Sequence, residues 1–174
     1  MAKVSFTKLG LTKNQEVKNI EWGEYTIEVK QYLPINEKLN LISNVINFAH
    51  DENNYSNPVK VDVYTALEIM YAYTNINFTD KQKEDVTKLY DAIVSSGLYA
   101  KVLEAIPGNE HCNLLSAIKK SIDAIYAYQN SVMGILDTIS NDYSNLNLDA
   151  TAIQKELASP ESLGLLKDIL VKLG

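Results

Sequence analysis

Two short runs in this sequence combine residue types that could do chemistry. Glu110, His111 and Cys112 are consecutive, and a histidine beside a thiol or a carboxylate can serve as a metal ligand or a general base. Adjacent residues on a helix point about 100° apart, so these side chains would not converge as ligands four residues apart do. The sequence therefore favours structural or surface roles for all three.

The second run is His50, Asp51 and Glu52, in which the histidine could act as a general base. No nucleophile or second histidine accompanies it in a recognisable motif, and residues 50–58 are rich in Asp, Asn and Ser. That composition is typical of a solvated loop. We therefore expect a loop here and no catalytic residues in the chain.

A calcium-loop template fits one polar stretch near the C-terminus. Asn145, Asn147, Asp149 and Glu156 occupy its first, third, fifth and twelfth positions. Asn145, however, replaces the usual acidic first ligand, and Ala150 stands where the loop needs glycine. An asparagine-rich turn leading to an Asp149 helix cap explains the same residues, so no metal ligand is predicted.

Glu68 lies inside the most apolar predicted helix, between Leu67 and Ile69. An unpaired charge there would be costly, so a perturbed functional carboxylate is one interpretation. The other, which we favour, is that Glu68 and Asp62 share a thin exposed strip.

The composition limits the classes of partner. All sixteen basic residues are lysine, so no arginine fork is present to bind a phosphate or a carboxylate. The net charge of −6 argues against a nucleic-acid partner, because such binding usually requires a basic footprint. Cys112 is the only cysteine, which excludes an intramolecular disulfide. No segment has the length of an uninterrupted membrane span, and no cofactor motif is present.

Length and hydrophobic content predict a single folded domain. With 174 residues and 46% hydrophobic content, the chain can bury a sizeable core. Residues 1–16 lack a clear period and are predicted to form an N-terminal arm, which Lys3, Lys8 and Lys13 make locally basic. Residues 17–174 are predicted to form one helical domain.

An alternating pattern over residues 17–32 predicts a β-hairpin. A two-residue turn at 23–24 places Trp22 opposite Tyr25 on the apolar face. Because an isolated hairpin is marginally stable in water, we expect it to cover helices or extend another sheet. Its edge offers a route for binding a partner by strand addition.

Helical spacing of apolar residues continues through most of the remaining chain. The first predicted helix includes Leu39 on its inward face, and the next, over 59–73, is almost wholly apolar, with a strand at its start as the alternative. Thr79 and Gln82 form a capping box that predicts the start of a further helix. Gly97 is placed to end that helix.

The longest helical pattern runs from Glu110 to about Tyr143 and predicts one continuous helix. Its apolar positions alternate in steps of four and three, which is the spacing of a heptad seam. Gln129 is a polar member, and a buried amide commonly fixes helix alignment at some cost in stability. The seam could be an interface or part of the monomer's own core. It consists of Ile118, Ile122, Ile125, Gln129, Val132, Leu136 and Ile139.

Three segments carry a resemblance to a known group of proteins. Residues 27–35 (IEVKQYLPI), 73–78 (YTNINF) and 88–91 (KLYD) resemble small proteins encoded among the virion-assembly genes of tailed bacteriophages of low-GC Gram-positive hosts. The tail-assembly chaperones are similar in general plan, being small, acidic and mainly helical, sometimes with an N-terminal hairpin. The resemblance implies binding to a helical tape-measure protein or to tail-tube subunits during assembly.

These observations predict a mainly α fold, a helical bundle with one long central helix and an N-terminal β-hairpin. We expect a non-enzymatic bacteriophage structural or assembly protein, with no cofactor, metal, nucleic acid or membrane partner. It would act in the host cytoplasm, with the virion as the alternative location, and bind itself or a virion component. The residues predicted to contact the partner are Trp22, Tyr25, Ile118, Ile122, Ile125, Gln129, Val132, Leu136 and Ile139.

Two other functions stay open. The chain could be a neck or capsid-associated virion protein, because its length and apolar seam suit either. It could instead be a phage inhibitor that docks on a host defence protein and mimics nucleic acid with acidic surface. The second reading requires the acidic residues to cluster, whereas the sequence interleaves them with lysines.

Overall fold

The computed structural model describes residues 3–12, 14–50 and 56–145. A short 3-10 turn, Phe6–Leu9, precedes nine elements in these ranges, and the mainly α prediction with an N-terminal hairpin is confirmed. The elements are β1 (Val17–Trp22), β2 (Tyr25–Lys30), α1 (Ile35–Ala49), α2 (Pro58–Tyr73), α3 (Asp80–Glu84), α4 (Val86–Ser95), α5 (Leu98–Ala105), α6 (Gly108–Gln129) and α7 (Val132–Asn145).

The chain divides into two compact units, Met1–Ala124 and Ile125–Gly174. The first contains the hairpin and most of the helices. The prediction of one domain over 17–174 also covers residues 146–174, which lie outside the described part of the chain, so it stays a prediction.

The hairpin has the predicted register. Trp22 pairs with Tyr25 across the turn, where Gly23 adopts a φ of +61° that favours glycine. One face is buried, since Ile27 and Val29 are 6% and 0% exposed. The hairpin therefore covers helices, as expected because an isolated hairpin is only marginally stable.

Both edges of the hairpin carry polar contacts. On β2, the Asn75 backbone N–H donates to Glu28 O at 3.3 Å, and the Glu28 N–H donates to Asn75 Oδ1 at 3.1 Å. On β1, Lys101 Nζ lies 3.4 Å from Glu21 O. The two hydrogen-bonding groups of Glu28 on the outer edge of β2 are thus already satisfied within the chain.

Helix α1 buries Val45 and Ala49, two of the residues whose spacing predicted its inward face, but Leu39 does not join them. Leu41, Val45 and Ala49 are at most 1% exposed, whereas Leu39 is 54% exposed, so its predicted inward position is wrong. Residues two positions apart on a helix, such as Leu39 and Leu41, lie about 200° apart around its axis. With Leu41 in the core, Leu39 must point to solvent.

Helix α2 is the predicted buried helix, and residues 59–63, the alternative strand at its start, are helical. Asn57 caps its first turn, because its side-chain oxygen accepts from Val59 N at 3.0 Å and Lys60 N at 3.3 Å. Pro58 follows at the first helical position, where its missing N–H costs nothing. These two signals start the helix despite the β-branched residues that follow.

The helix predicted from the capping box is two helices. The capping box itself is present, because the side chains of Thr79 and Gln82 each accept a hydrogen bond from the other residue's backbone N–H. Asp85 then interrupts the helix, and its side chain accepts from Lys88 N at 3.2 Å to cap α4. Gly97, with a φ of +81°, lies just after α4 as predicted.

The core of the first unit is formed by side chains from the hairpin, the linker after it and α1, α2, α4, α5 and α6. Tyr73 is its largest fully buried member. The core residues are Ile27, Val29, Leu33, Leu41, Val45, Leu67, Ile69, Met70, Tyr73, Ile93, Val102, Ala105, Ile106, Leu114 and Ile118.

One carboxylate ties four segments of this unit together. Glu110, in the first turn of α6, is 7% exposed. Its Oε1 accepts from Leu33 N at 2.9 Å and from the Tyr73 hydroxyl at 3.0 Å, and its Oε2 lies 2.8 Å from Lys38 Nζ. We call these four residues the Glu110 cluster. It links the segment after β2 with α1, α2 and α6.

The cluster holds Glu110 in its charged form. Burial opposes ionisation, but the hydrogen bonds from Lys38, Leu33 and Tyr73 outweigh it, and the pKa of Glu110 lies below its ordinary value of 4.5. Burial, together with the adjacent carboxylate, raises the pKa of Tyr73. At neutral pH Glu110 is therefore an anion, and Tyr73 is its hydrogen-bond donor.

We predict that Glu110→Gln destabilises the protein by about 2–4 kcal/mol at pH 7, because Lys38 loses its counter-ion while remaining largely buried. The folded-state pKa of Glu110 is depressed, so its contribution is present above about pH 4.5 and is lost as pH falls through the folded pKa. The gap between wild type and variant should shrink on acidification. Urea unfolding at pH 7 and below pH 4 measures it.

Glu37→Gln is the matched control. Glu37 pairs with Lys30 at 2.7 Å, but the two side chains are 44% and 43% exposed. Such a surface pair contributes less than about 1 kcal/mol. Equal losses from the two substitutions, or an undiminished gap at low pH, would contradict the role given to Glu110.

Candidate functional site

The run Glu110–His111–Cys112 does not form a reactive group. Glu110 belongs to the buried cluster, His111 is half-buried and Cys112 is exposed. Among the described residues, no three or more His, Cys, Asp or Glu side chains are placed to hold a metal ion. Of the calcium-loop positions, Asn147, Asp149 and Glu156 lie outside the described part of the chain.

Glu68 is half-buried, so the predicted exposed strip is wrong for this residue, although Asp62 is exposed. Burial raises the pKa of Glu68, and the hydrogen bond from Asn44 and the charge of Lys83 oppose the rise. Asn44 Nδ2 lies 3.0 Å from Glu68 Oε2. The carboxylate therefore links α2 to α1.

His50 lies at the end of α1, where its Nδ1 is 2.5 Å from Ile46 O. That contact orients the ring against its own helix. Asp51 and Glu52, the other members of the predicted loop run, lie outside the described residues.

The long predicted helix is broken, which corrects the reading of Glu110 to Tyr143 as one element. Helix α6 ends at Gln129 and α7 begins at Val132. Ser131 starts α7, since its Oγ accepts from Gly134 N at 3.1 Å and its carbonyl accepts from Ile135 N at 3.0 Å. This is the hydrogen bonding of an N-cap serine, a local signal that heptad spacing does not reveal.

Gly134 allows the chain to turn tightly between the two helices. A Cβ built on Gly134 would lie 2.2 Å from the Tyr128 carbonyl oxygen. Across the same turn, the Tyr128 hydroxyl donates to the Asp137 carboxylate, and this hydrogen bond raises the pKa of Tyr128. We call residues 128–137 the α6–α7 corner.

The predicted seam is divided between different environments. Ile118 is 3% exposed in the core of the first unit, and Ile122 packs against that core, so Ile118 offers no surface to a partner. Ile125 and Gln129 are half-buried. The Ile139 side chain lies outside the described residues.

Among the seam residues whose side chains are described, only Val132 and Leu136 are exposed. Val132 and Leu136 are 74% and 52% exposed, and Met133 and Ile135 beside them are 62% and 51% exposed. At about 100° per residue, these four side chains span about 160° of the helix circumference. We call them the α7 face. Large apolar surfaces of this kind mark protein-binding sites.

The two hairpin residues predicted to contact a partner differ in exposure. Trp22 packs against the core, with Lys101 Nζ 5.2 Å from the ring centroid. Tyr25, its cross-strand neighbour, is 73% exposed at the tip. Of the pair, only Tyr25 presents most of its side chain to solvent.

Sequence reasoning missed the Glu110 cluster and the exposure of the N-terminal arm. Glu110 is 72 residues from Lys38 and 77 from Leu33, so no local spacing connects them. The arm did carry a signal, since apolar residues alternate there with lysines and no helix or strand period gives them a buried face.

The described part of the chain contains no helix long and apolar enough to cross a membrane. Its fold is that of a mainly α protein with an N-terminal two-stranded hairpin. Comparisons with protein families, with curated proteins and with solved structures found no match.

We predict that Gly134→Ala disrupts the α6–α7 corner, because the new methyl group would collide with the Tyr128 carbonyl. Overpacking of this kind costs about 1–3 kcal/mol. Amide hydrogen exchange over residues 125–145 should become faster by a corresponding factor.

Gly108→Ala is the control, because a Cβ at Gly108 meets no heavy atom within 4 Å. It should leave exchange in the corner unchanged. If amide exchange in the Gly134→Ala variant kept the wild-type rates, the close approach of Gly134 to the Tyr128 carbonyl would not be what stabilises the corner.

Proposed function

We propose that this protein is a non-enzymatic assembly protein of tailed bacteriophages, of the tail-assembly-chaperone type. It binds a helical segment of the tape-measure protein during virion assembly in the host cytoplasm. The observation that carries the proposal is the α7 face, with four large apolar side chains more than half exposed within five positions. The resemblance of residues 27–35, 73–78 and 88–91 to phage assembly proteins directs the choice of partner.

The geometry of the α7 face suits a helical partner. Val132 and Leu136 are four residues apart, so they line one side of α7, with Ile135 and Met133 flanking them. An amphipathic helix recognises such a surface through its own apolar residues at three- and four-residue spacing. Tape-measure proteins are long and helical, and present this spacing many times.

The size of the face favours a reversible complex. Burying one fully exposed side chain of this kind stabilises by about 1.5–3 kcal/mol, and because the four are about half to three-quarters exposed, burying the rest of their surface contributes roughly 4–7 kcal/mol. Association itself costs about 4–15 kcal/mol. The balance suits a chaperone, which must release its client when the tail is assembled.

The charged side chains described inside the fold have structural partners, which supports a binding role over a catalytic one. Glu110 is held by Lys38, Tyr73 and the Leu33 backbone. Glu68 is held by Asn44. Each links secondary structure elements.

We predict that Val132→Ser with Leu136→Ser weakens capture of the co-expressed tape-measure protein at least tenfold. The two side chains are largely solvent-exposed, so stability of the free protein should change by less than about 0.5 kcal/mol per site. Affinity purification of the tagged protein from cells expressing both genes measures capture, and thermal unfolding measures stability.

Val59→Ser is the matched control, because Val59 is 70% exposed and belongs to α2, not to the α7 face. It should leave capture intact. No complex with the wild-type protein, or equal loss in both variants, would refute the assignment of the α7 face.

A further inference from the structure

The N-terminal arm, defined here as residues 3–12, exposes all of its large apolar side chains. Val4, Phe6, Leu9 and Leu11 are 69%, 72%, 54% and 66% exposed, and the 3-10 turn within the arm has no buried residue. None of the four belongs to the core or packs against it. Two-fifths of the residues in this segment are large and apolar, and none of them packs on the described core, so the segment has surface to bury elsewhere.

The charge of the arm is opposite to that of the rest of the chain. The arm contains Lys3 and Lys8 and no acidic residue, a charge of +2, while the whole chain has a net charge of −6, which leaves −8 for the other residues. In charge, the arm is therefore complementary to the rest of this same protein.

The base of the arm is fixed where it leaves the hairpin. The Glu16 N–H donates to Asn14 Oδ1 at 2.8 Å, and the Gln31 N–H donates to Glu16 O at 2.9 Å. These bonds anchor residues 14–16 beside the start of β1. The arm thus extends from a held point, and less entropy is lost when it docks.

A shallow cleft of about 170 Å³ lies at this base, lined in part by Glu16, Val17, Tyr32, Pro34 and Glu37. Val17 and Tyr32 are 49% and 38% exposed. The cleft therefore combines the apolar surface of Val17, Tyr32 and Pro34 with the Glu16 carboxylate, the chemistry that an apolar segment carrying a lysine requires. Lys30, also in its wall, is neutralised by Glu37 at 2.7 Å.

We propose that two copies of this chain form a dimer by reciprocal exchange of their arms, each arm placing Phe6 and Leu9 in the base cleft of the other copy with Lys8 beside Glu16. Because each cleft adjoins the base of an arm, a two-fold axis near residues 14–17 brings both arms to both clefts. Exchange of identical segments is a low-cost route to symmetric dimers.

Reciprocity also matters for interface size. A stable protein interface buries about 800 Å² per partner, and a single short arm on one cleft falls short of that area. Exchange doubles the buried surface and joins the two bases. The dimer uses the arm and the cleft, so it stands or falls separately from the α7 face.

Light scattering and sedimentation of the full chain over a range of concentrations test the proposal. Wild type should be dimeric, and Phe6→Ser with Leu9→Ser should raise the dissociation constant at least tenfold. Lys8→Glu and Glu16→Lys should each weaken the dimer, and the double charge reversal should restore it. Val132→Ser with Leu136→Ser should leave the dimer intact, which separates this result from the test of the α7 face.

Cross-linking tests the exchange directly. In a Cys112→Ser background, a Ser5→Cys chain mixed with an Ile35→Cys chain should form a disulfide-linked heterodimer, since Ser5 adjoins Phe6 and Ile35 is 62% exposed immediately after Pro34 in the cleft wall. Val59→Cys in place of Ile35→Cys should give at least tenfold less product.

Three outcomes would overturn the proposal. Wild type could be monomeric at all concentrations, or dimeric without dependence on Phe6 and Leu9. Alternatively, binding of the monomeric wild-type protein to vesicles of anionic phospholipid, lost in the same Phe6 and Leu9 variant, would assign the arm to a lipid surface.

Discussion

A buried ion pair fixes how the first unit is assembled. Taking the Glu110 carboxylate and the Lys38 ammonium out of water is expensive, and the cost is recovered only if both groups keep their partners. Glu110 satisfies this condition with three donors from three different segments. Removing one partner of such a pair costs about 3–5 kcal/mol, whereas a shifted apolar contact costs much less. The cluster therefore selects one arrangement of α1, α2 and α6 among the many that would bury the same apolar surface.

The two halves of the predicted seam show how local and global signals compete. Heptad spacing continues across residues 130–131, and spacing alone indicates one helix. Ser131 supplies an N-cap, and Gly134 removes the side chain that would block a tight turn. A cap contributes about 1 kcal/mol, which is enough to break a helix where no core contact holds it straight. The core ends near Ile122, and the break follows eight residues later.

Features set by neighbours in sequence were predictable, and features set by distant partners were not. The hairpin register follows from a two-residue turn and a period of two, and Gly97 follows from its tolerance of positive φ. Leu39 was misplaced because the apolar residues of α1 fit two overlapping stripes, and only the core decides between them. For Glu110 a structural or surface role was predicted, but its partners were not. Leu33 and Tyr73 come within hydrogen-bonding distance of it only in the folded chain. Val132 and Leu136 of the α7 face were among the predicted contact residues. The spacing of residues could not reveal that these two are exposed whereas Ile118 is buried.

The covered edges of the hairpin have a consequence for how concentrated this protein can become. An open strand edge is a template for β-aggregation, and proteins protect it with lysines, turns or covering segments. Here Asn75 occupies both groups of Glu28 on one edge, and Lys101 reaches Glu21 O on the other. Addition of a further strand is thereby hindered at these two positions. A protein with such an edge meets other molecules through its side chains and not through backbone hydrogen bonding of strands.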